Sequence, residues 1–229
     1  MYNIILWDID GTLLDFKFSE KHALRKAFGA FGYTITDDDI AAYSKINDGY
    51  WLRFDRGEIT KPQVFDGRFR DFMEYLGTPE ADMPPTEKIN EIFQPALGEV
   101  YEFCDGGLEI VKALGGRVRQ YVVTNGSFEA QDLKLRNTGL DKIMDGVFIS
   151  EVMGMQKPDK VFFDACFDAI GGVDRSKVII VGDSLTSDIK GGNNAGIAAC
   201  WYNPHGKPSN NSVKIDYEIS DLHEIFDIL

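Results

Sequence analysis

Short apolar segments alternate with amphipathic helical patterns along the second half of the chain. The apolar segments are a few residues long and nearly continuous, which is typical of parallel strands buried on both faces. The predicted strands are Gln120–Val123, Val147–Ile149, Val178–Val181, Ile197–Tyr202 and Tyr217–Ile219. The predicted helices between them are Leu108–Leu114, Phe128–Asn137, Lys160–Ile170 and Leu185–Asn194. This alternation predicts βαβ units and therefore an α/β fold with a parallel sheet.

The first predicted strand, Tyr2–Trp7, is separated from the others by a stretch with a different pattern. From about residue 16 to residue 98, apolar residues recur at three- and four-residue spacing, which is typical of helices. Turn signals at Gly32, Gly57, Gly77 and Pro84 divide this stretch into helices. We therefore predict a core made of residues 1–15 and 99–229, with an inserted all-helical module at 16–98.

The charge balance argues against nucleic-acid polymers and membrane surfaces as partners. The chain has 24 Lys+Arg against 37 Asp+Glu, a formal net charge of -13, so it repels phosphate polymers. The sequence shows neither a signal peptide nor an apolar run of about 18 residues. Three widely spaced cysteines, Cys104, Cys166 and Cys200, are predicted to be reduced. We expect a cytoplasmic protein.

Two aspartates follow the first predicted strand in the sequence Asp8-Ile9-Asp10-Gly11-Thr12-Leu13. Ligands of open α/β sheets bind at the carboxyl ends of the strands. Two carboxylates this close repel each other unless a cation is present, and Mg²⁺ prefers such oxygen ligands. Considered alone, the pair could equally cap the turn before Gly11.

Three further motifs follow other predicted strands. The segment Thr124–Ser127 offers a hydroxyl and helix N-terminal N–H groups to a phosphate, although Ser127 could simply cap the helix. Lys157 could neutralise phosphate charge, although solvated surface lysines are commoner. Asp183 and Asp188 could bind a metal ion or cap a helix. Acidic groups, a hydroxyl and a lysine at several strand ends together predict one active site.

The order D-x-D-G-T-L, V-T-N-G, K-P and G-D-S-x-x-x-D resembles the haloacid dehalogenase superfamily of aspartate-nucleophile phosphohydrolases. The resemblance implies a Rossmann-like core with an inserted helical cap. It implies that Asp8 is the nucleophile, Asp10 the general acid and base, and Thr124 a phosphate ligand. Lys157 would hold nucleophile and phosphate together, and Asn125 and Gly126 would bind substrate. The implied cofactor is Mg²⁺, held by Asp8, the backbone carbonyl of Asp10 and Asp183, with Asp188 supporting the metal shell.

Within the superfamily, the stretch from Tyr43 to Phe69 and the segment Ala199–Asn203 look like the 5′-nucleotidases that act on pyrimidine nucleoside monophosphates. This resemblance implies a small phosphomonoester substrate and a monomer or weak homodimer. Asn47, Trp51 and Arg68 could then contact the nucleotide through an amide, a ring and a cation. Trp51 at helical spacing is also typical of a packed core, and Arg68 of a solvated surface.

Four other functions share part of these features. A sugar-phosphate phosphatase or phosphomutase of the same superfamily has every core motif. A phospho-accepting receiver domain also combines an acidic pocket with a lysine, but the helical insertion disfavours it. A dehalogenase needs no proton donor such as Asp10 and no Mg²⁺. A dinucleotide-binding module needs a G-x-G-x-x-G after the first strand, which this sequence lacks.

Overall fold

The chain divides into a core unit and a helical unit. The computed structural model describes residues 1–209 and 212–229. The core unit comprises Met1–Phe16 and Glu102–Leu229, and the helical unit comprises Lys17–Tyr101. The sequence predicts the corresponding boundaries after residues 15 and 98.

Four α-helices build the helical stretch within the described residues: α1 Phe16–Gly29, α2 Asp37–Asp55, α3 Lys61–Tyr75 and α4 Thr86–Glu99. A capping box between Thr36 and Asp39 fixes the start of α2, because each side chain binds the other residue's backbone N–H. Aromatic rings fill the space between the helices. Phe28 and Phe72 meet edge to face with ring centroids 5.0 Å apart, and such pairs add about 0.5–1.5 kcal/mol beyond area burial.

A parallel sheet organises the core unit. Its strands are β1 Ile4–Trp7, β2 Arg119–Thr124, β3 Gly146–Ile149, β4 Val178–Gly182, β5 Ala198–Tyr202 and β6 Tyr217–Ile219. The spatial order is β3-β2-β1-β4-β5-β6, and every neighbouring pair is parallel. The predicted α/β fold with a Rossmann-like sheet is thereby confirmed.

Helices cover both faces of the sheet: α5 Gly107–Ala113, α6 Phe128–Thr138, α7 Ser150–Met153, α8 Lys160–Ile170, α9 Lys190–Ala195 and α10 Ile225–Ile228. Alternate residues of β1 belong to different apolar clusters because successive side chains point to opposite faces. Ile5 and Trp7 join one cluster, whereas Ile4 and Leu6 join the other. Double-sided burial explains why β1 is an unbroken apolar run. Among the described helices, none has both the length and the apolar character needed to cross a membrane.

The predicted helix Leu185–Asn194 is not one continuous α-helix. Its first part, Leu185–Ile189, is a π-helical turn, and α9 follows directly. Within this turn the Ile189 N–H donates to the Ser184 carbonyl, 3.1 Å away, and the Ser184 hydroxyl caps the Ser187 N–H. Such single π-turns occur frequently at functional sites, and this one carries Asp188.

Candidate active site

A buried lysine joins two aspartates beside the central strands of the core unit. Lys157 Nζ donates to Asp8 Oδ1 at 2.7 Å, to Asp188 Oδ1 at 2.7 Å and to the Val123 carbonyl at 2.8 Å. An ammonium group has three hydrogens, so these contacts use its full donor capacity. Lys157 is only 1% exposed, and the solvated-lysine alternative is therefore wrong.

Asn125 fixes the backbone at Lys157. Its Nδ2 donates to the Lys157 carbonyl at 2.8 Å, and its Oδ1 accepts from the Lys157 N–H at 2.9 Å. The sequence predicts a substrate contact for Asn125, but both ends of its side-chain amide bind Lys157 in the structure. Its side chain therefore positions the lysine.

Thr12 holds the second oxygen of Asp8. Thr12 Oγ1 donates to Asp8 Oδ2 at 3.2 Å, while the Asp8 N–H donates to the Val181 carbonyl at 3.0 Å. The sequence analysis assigns no role to Thr12, although its place four residues after Asp8 is the signal that could have suggested one. With Lys157 and Thr12 on different oxygens, the Asp8 carboxylate has a fixed orientation.

Two glycines leave space for the side chains of Asp183 and Asp188. A Cβ added to Gly182 would lie 2.2 Å from the Asp188 carboxyl carbon, and one on Gly11 would lie 2.9 Å from that of Asp183. Asp188 Oδ2 accepts from the Ser184 N–H at 3.1 Å. The glycines of the D-x-D-G and G-D motifs therefore leave the space that these carboxylates occupy.

Burial and like charge disfavour ionised carboxylates in this cluster. Burial raises the pKa of Asp8 well above its usual range, with Lys157 opposing the shift and Asp188 and Asp183 adding to it. Burial and the charge of Asp188 raise the pKa of Asp183 to about 7. Burial lowers the pKa of Lys157, but Asp188 and Asp8 outweigh it and keep the ammonium charged. One lysine does not balance three carboxylates.

The same carboxylates can hold a metal ion. Asp8, Asp183 and Asp188 each offer an oxygen atom, and these atoms lie within 4.8 Å of one another. A set of hard carboxylate oxygens with excess negative charge fits a divalent cation such as Mg²⁺. The residues present therefore agree with the metal that the sequence predicts, and Asp188 lies within the group.

The Asp10 carboxylate is not part of this group but faces α6. Gln131 Nε2 donates to Asp10 Oδ2 at 2.7 Å, and Lys134 Nζ donates to Asp10 Oδ1. The sequence analysis assigns no role to either α6 residue, since both belong to an ordinary helical pattern. The predicted metal contact of Asp10 involves its backbone carbonyl and remains a prediction.

The V-T-N-G segment connects β2 to α6. Thr124 is buried, and its Oγ1 accepts from the Gly126 N–H at 3.1 Å. Ser127 Oγ accepts from the Ala130 N–H at 3.3 Å, so Ser127 is the N-cap of α6. The phosphate contacts predicted for Thr124 and Gly126 remain predictions.

The three nucleotide-contact candidates lie in the helical unit. Asn47 and Arg68 are buried, and Arg68 Nη1 donates to Asn47 Oδ1 at 3.0 Å, so Arg68 is not a solvated surface residue. The half-buried Trp51 ring packs edge to face on Phe54 with centroids 5.5 Å apart. Asn47 and Arg68 bind each other here, and a role for any of the three in substrate binding remains a prediction.

Comparison with known proteins shows which family this chain belongs to. The family model for haloacid dehalogenase-like hydrolases matches residues 2–196. The chain belongs to this family. Membership in the haloacid dehalogenase-like hydrolases confirms the superfamily resemblance and identifies the chain as a hydrolase.

Several haloacid dehalogenase-like relatives match along nearly their whole length. The HAD-hydrolase YfnB of Bacillus subtilis is 37% identical over 100% of this chain and 95% of its own. The pyrimidine 5′-nucleotidase YjjG of Escherichia coli is 34% identical over 98% of this chain and 96% of its own. The pyrimidine 5′-nucleotidase PynA of Streptococcus pneumoniae is 32% identical over 100% of this chain and 95% of its own. A crystal structure of YfnB bound to magnesium has a TM-score of 0.92 at 36% identity, covering 100% of this chain and 98% of that chain.

Proposed function

We propose that this chain is a Mg²⁺-dependent phosphomonoester hydrolase that forms an aspartyl-phosphate on Asp8 and acts on pyrimidine nucleoside 5′-monophosphates. The observation that carries the proposal is the contact of Lys157 Nζ with Asp8 Oδ1, 2.7 Å apart, inside a cluster with two further aspartates. A carboxylate that attacks a phosphate dianion needs fixed positive charge beside it. Lys157 supplies that charge, and Thr12 keeps the nucleophile oriented.

In the first step, an Asp8 oxygen forms a bond to phosphorus while the bond from phosphorus to the leaving oxygen breaks. A metal ion held by Asp8, Asp183 and Asp188 would supply additional charge neutralisation to the phosphoryl group. Asp10 gives its proton to the leaving alkoxide. The Thr124 hydroxyl and backbone N–H groups near the N-terminus of α6 hold the phosphoryl oxygens.

In the second step, water attacks phosphorus and the bond between phosphorus and the Asp8 oxygen breaks. Asp10, now a carboxylate, takes a proton from that water. Inorganic phosphate leaves, and the Asp8 carboxylate is restored. One aspartate thus forms the intermediate, and the other transfers protons in both steps.

Two relatives that align along nearly the whole chain and are named as pyrimidine 5′-nucleotidases support the proposed substrate class. The core residues described above bind only the phosphate, so they cannot choose a base. We assign base selection to side chains outside that set, with Trp51 as the stacking candidate. Stacking on an aromatic ring is worth about 1–3 kcal/mol per base in single-strand binders.

The test is phosphate release with Mg²⁺ across a panel of pyrimidine and purine nucleoside monophosphates, hexose phosphates and p-nitrophenyl phosphate. We expect the highest kcat/KM with pyrimidine nucleotides. If hexose phosphates instead gave the highest kcat/KM, the nucleotidase assignment would be contradicted, but the chain would still be a phosphatase. Isomerised sugar phosphate formed without phosphate release would instead identify a phosphomutase.

A further inference from the structure

Two side chains on one face of α6 bind the two oxygens of Asp10. Gln131 Nε2 donates to Oδ2 at 2.7 Å, and Lys134 Nζ donates to Oδ1. Gln131 and Lys134 are three residues apart, so they lie next to each other on the helix surface. Both are 1% exposed, which restricts their movement, whereas the Asp10 side chain is 22% exposed. The carboxylate is therefore accessible but held from one side.

The Gln131 contact is made at a cost to the fold. Gln131 Oε1 is buried without a hydrogen-bond partner, and an unsatisfied buried acceptor is destabilising. The contact also needs space at Gly126, where an added Cβ would lie 2.1 Å from Gln131 Nε2. A packing role alone would need neither the unpaired oxygen nor the absent side chain.

Lys134 is also committed to Asp10. Its ammonium group is buried, forms an ion pair with the Asp10 carboxylate, and lies 5.2 Å from the centroid of the Phe16 ring. Buried ammonium groups are retained where they are paired and hydrogen-bonded. An ion pair and an amide hydrogen bond on separate oxygens restrict the rotation of the carboxylate.

We propose that Gln131 and Lys134 are positioning residues that fix the Asp10 carboxylate for proton transfer. The proposal rests on the function proposed above, in which Asp10 is the general acid and base. Both donors bind the deprotonated carboxylate, which is the form that accepts the proton of the attacking water. In that step the water oxygen bonds to phosphorus, the bond from phosphorus to Asp8 breaks, and the water proton moves to Asp10.

The experiment uses p-nitrophenyl phosphate, because p-nitrophenolate leaves without a proton. In Lys134→Met and Gln131→Met, formation of the aspartyl-phosphate should stay fast while its hydrolysis slows. Stopped-flow absorbance should show a burst of about one p-nitrophenolate per active site, followed by steady turnover reduced about 10- to 100-fold, the usual effect of losing a supporting partner. Lys134→Arg keeps a donor and should recover most of the steady rate. The exposed Lys142→Met is the matched control and should behave as wild type.

A packing role predicts a different result, because a distorted site slows the burst as much as the steady rate. Equal slowing of both phases, or unchanged turnover in both α6 variants, would overturn the proposal. If Lys134→Met does not fold, Gln131→Met carries the same test, since it removes one neutral amide. In an Asp10→Asn background, Lys134→Met should cause little further loss, because its effect passes through Asp10.

Asp10→Asn also separates this proposal from the proposed function. Wild-type turnover in Asp10→Asn would remove the acid–base role of Asp10 and both proposals with it. Lost turnover in Asp10→Asn, together with normal kinetics in the α6 variants, would overturn only the positioning role.

Discussion

The core unit and the helical unit bury charge in opposite ways. In the core, the Lys157 ammonium group contacts two of three clustered carboxylates, Asp8 and Asp188. Burial with like charge raises the pKa of the third, Asp183, to about 7. In the helical unit, Glu20 and Arg68 are also buried, but Asn47 bridges them. Asn47 Nδ2 donates to Glu20 Oε1 at 2.9 Å, and Arg68 Nη1 donates to Asn47 Oδ1 at 3.0 Å.

Additional contacts complete the network of the helical unit. The Ser44 hydroxyl donates to Glu20, and Lys17 Nζ lies 3.3 Å from the same carboxylate. Arg68 also donates to Asn90 and lies against the Phe69 ring, 4.6 Å from its centroid. One buried anion and one buried cation are each hydrogen-bonded, so the charges balance within the unit.

We infer that the buried charges of the helical unit stabilise the fold, whereas the clustered carboxylates of the core take part in the chemistry. In the balanced network the buried charges are neutralised by the fold itself, although the buried Arg68 Nε has no hydrogen-bond partner among the described residues. An excess of carboxylates instead lowers stability until a cation binds. Loss of a core carboxylate should therefore affect activity more than stability. Loss of a member of the helical network should affect stability first.

The largest effect is expected from Asp8→Asn. An amide cannot form the aspartyl-phosphate, yet it keeps the shape of the side chain and its contact with Thr12. Turnover should fall below detection while the circular dichroism spectrum and melting temperature stay close to wild type. The exposed Asp168→Asn is the matched control and should keep full activity. Near-normal phosphatase activity in pure Asp8→Asn protein would remove the nucleophile from our mechanism.

Metal removal should have a nearly equal effect on activity. We expect EDTA to stop turnover and Mg²⁺ to restore it, because the core carboxylates lack sufficient positive charge. Binding should also raise the melting temperature, since Mg²⁺ at 100 times its Kd adds about 2.7 kcal/mol. Asp183→Asn should lose that thermal shift. An equal shift in wild type and Asp183→Asn, measured by calorimetry, would contradict the proposed ligand set.

Arg68→Met tests the balanced network through stability. The substitution leaves the buried Asn47 Oδ1 without its donor, and an unsatisfied buried acceptor costs on the order of 1–3 kcal/mol. Urea unfolding should show this loss of stability. Arg70→Met on the same helix changes an exposed residue and should cost no more than about 0.5 kcal/mol. Equal costs for the two variants would mean that the network contributes nothing to the fold.

Trp51→Ala examines whether the helical unit also selects the substrate. If Trp51 stacks on the base, kcat/KM should fall by about 10-fold or more for pyrimidine nucleotides, as expected from the value of one stacked base. The value for p-nitrophenyl phosphate should change little. The exposed Tyr75→Ala is a control for loss of an aromatic ring. Parallel losses on both substrates would make Trp51 a packing residue.

The smallest effect concerns the pH dependence of stability at Glu20. Burial raises the pKa of Glu20 above its ordinary 4.5, although Lys17 and Ser44 oppose the shift. The folded state therefore holds this proton more tightly than the unfolded chain, and wild type loses stability as pH rises from 4.5 through the folded-state pKa. Relative to Glu20→Gln, wild type should be less stable at neutral pH than at pH 4.5 in urea unfolding. A stability difference between the two proteins that does not vary with pH would contradict the raised pKa.

The sequence predicted those parts of the molecule that depend on local pattern. All six predicted strands exist in the structure. They could be predicted because a strand that is buried on both faces, such as Val178–Val181, is a continuous apolar segment in the sequence. Asp8, Lys157 and Asp188 meet because the carboxyl ends of parallel strands lie at one edge of the sheet. Motif order was enough to identify these residues as a group.

The sequence could not predict contacts that depend on distance in space. Gln131 and Lys134 look like ordinary residues of α6, and only the folded sheet brings them to Asp10, more than a hundred residues earlier. The π-helical turn at Leu185–Ile189 was also missed, since helical periodicity does not distinguish it from an α-helix. The contacts of the Asn125 side chain with the Lys157 backbone are equally invisible in the sequence, and the substrate contact that the resemblance implies for Asn125 remains a prediction.

The central position of β1 has a consequence for synthesis on the ribosome. Ile4 pairs with Arg119 on one side and with Val178 on the other. At about 5–20 residues per second, Val178 is added roughly 9–35 s after Ile4. Until Arg119 is added, the nascent chain carries an apolar strand that has neither partner, and until Val178 is added it has only one. The full sequence of α1–α4 is complete at Glu99, before either partner strand. We therefore expect the helical unit to form first and the apolar β1 segment to be the part of the emerging polypeptide that chaperones bind.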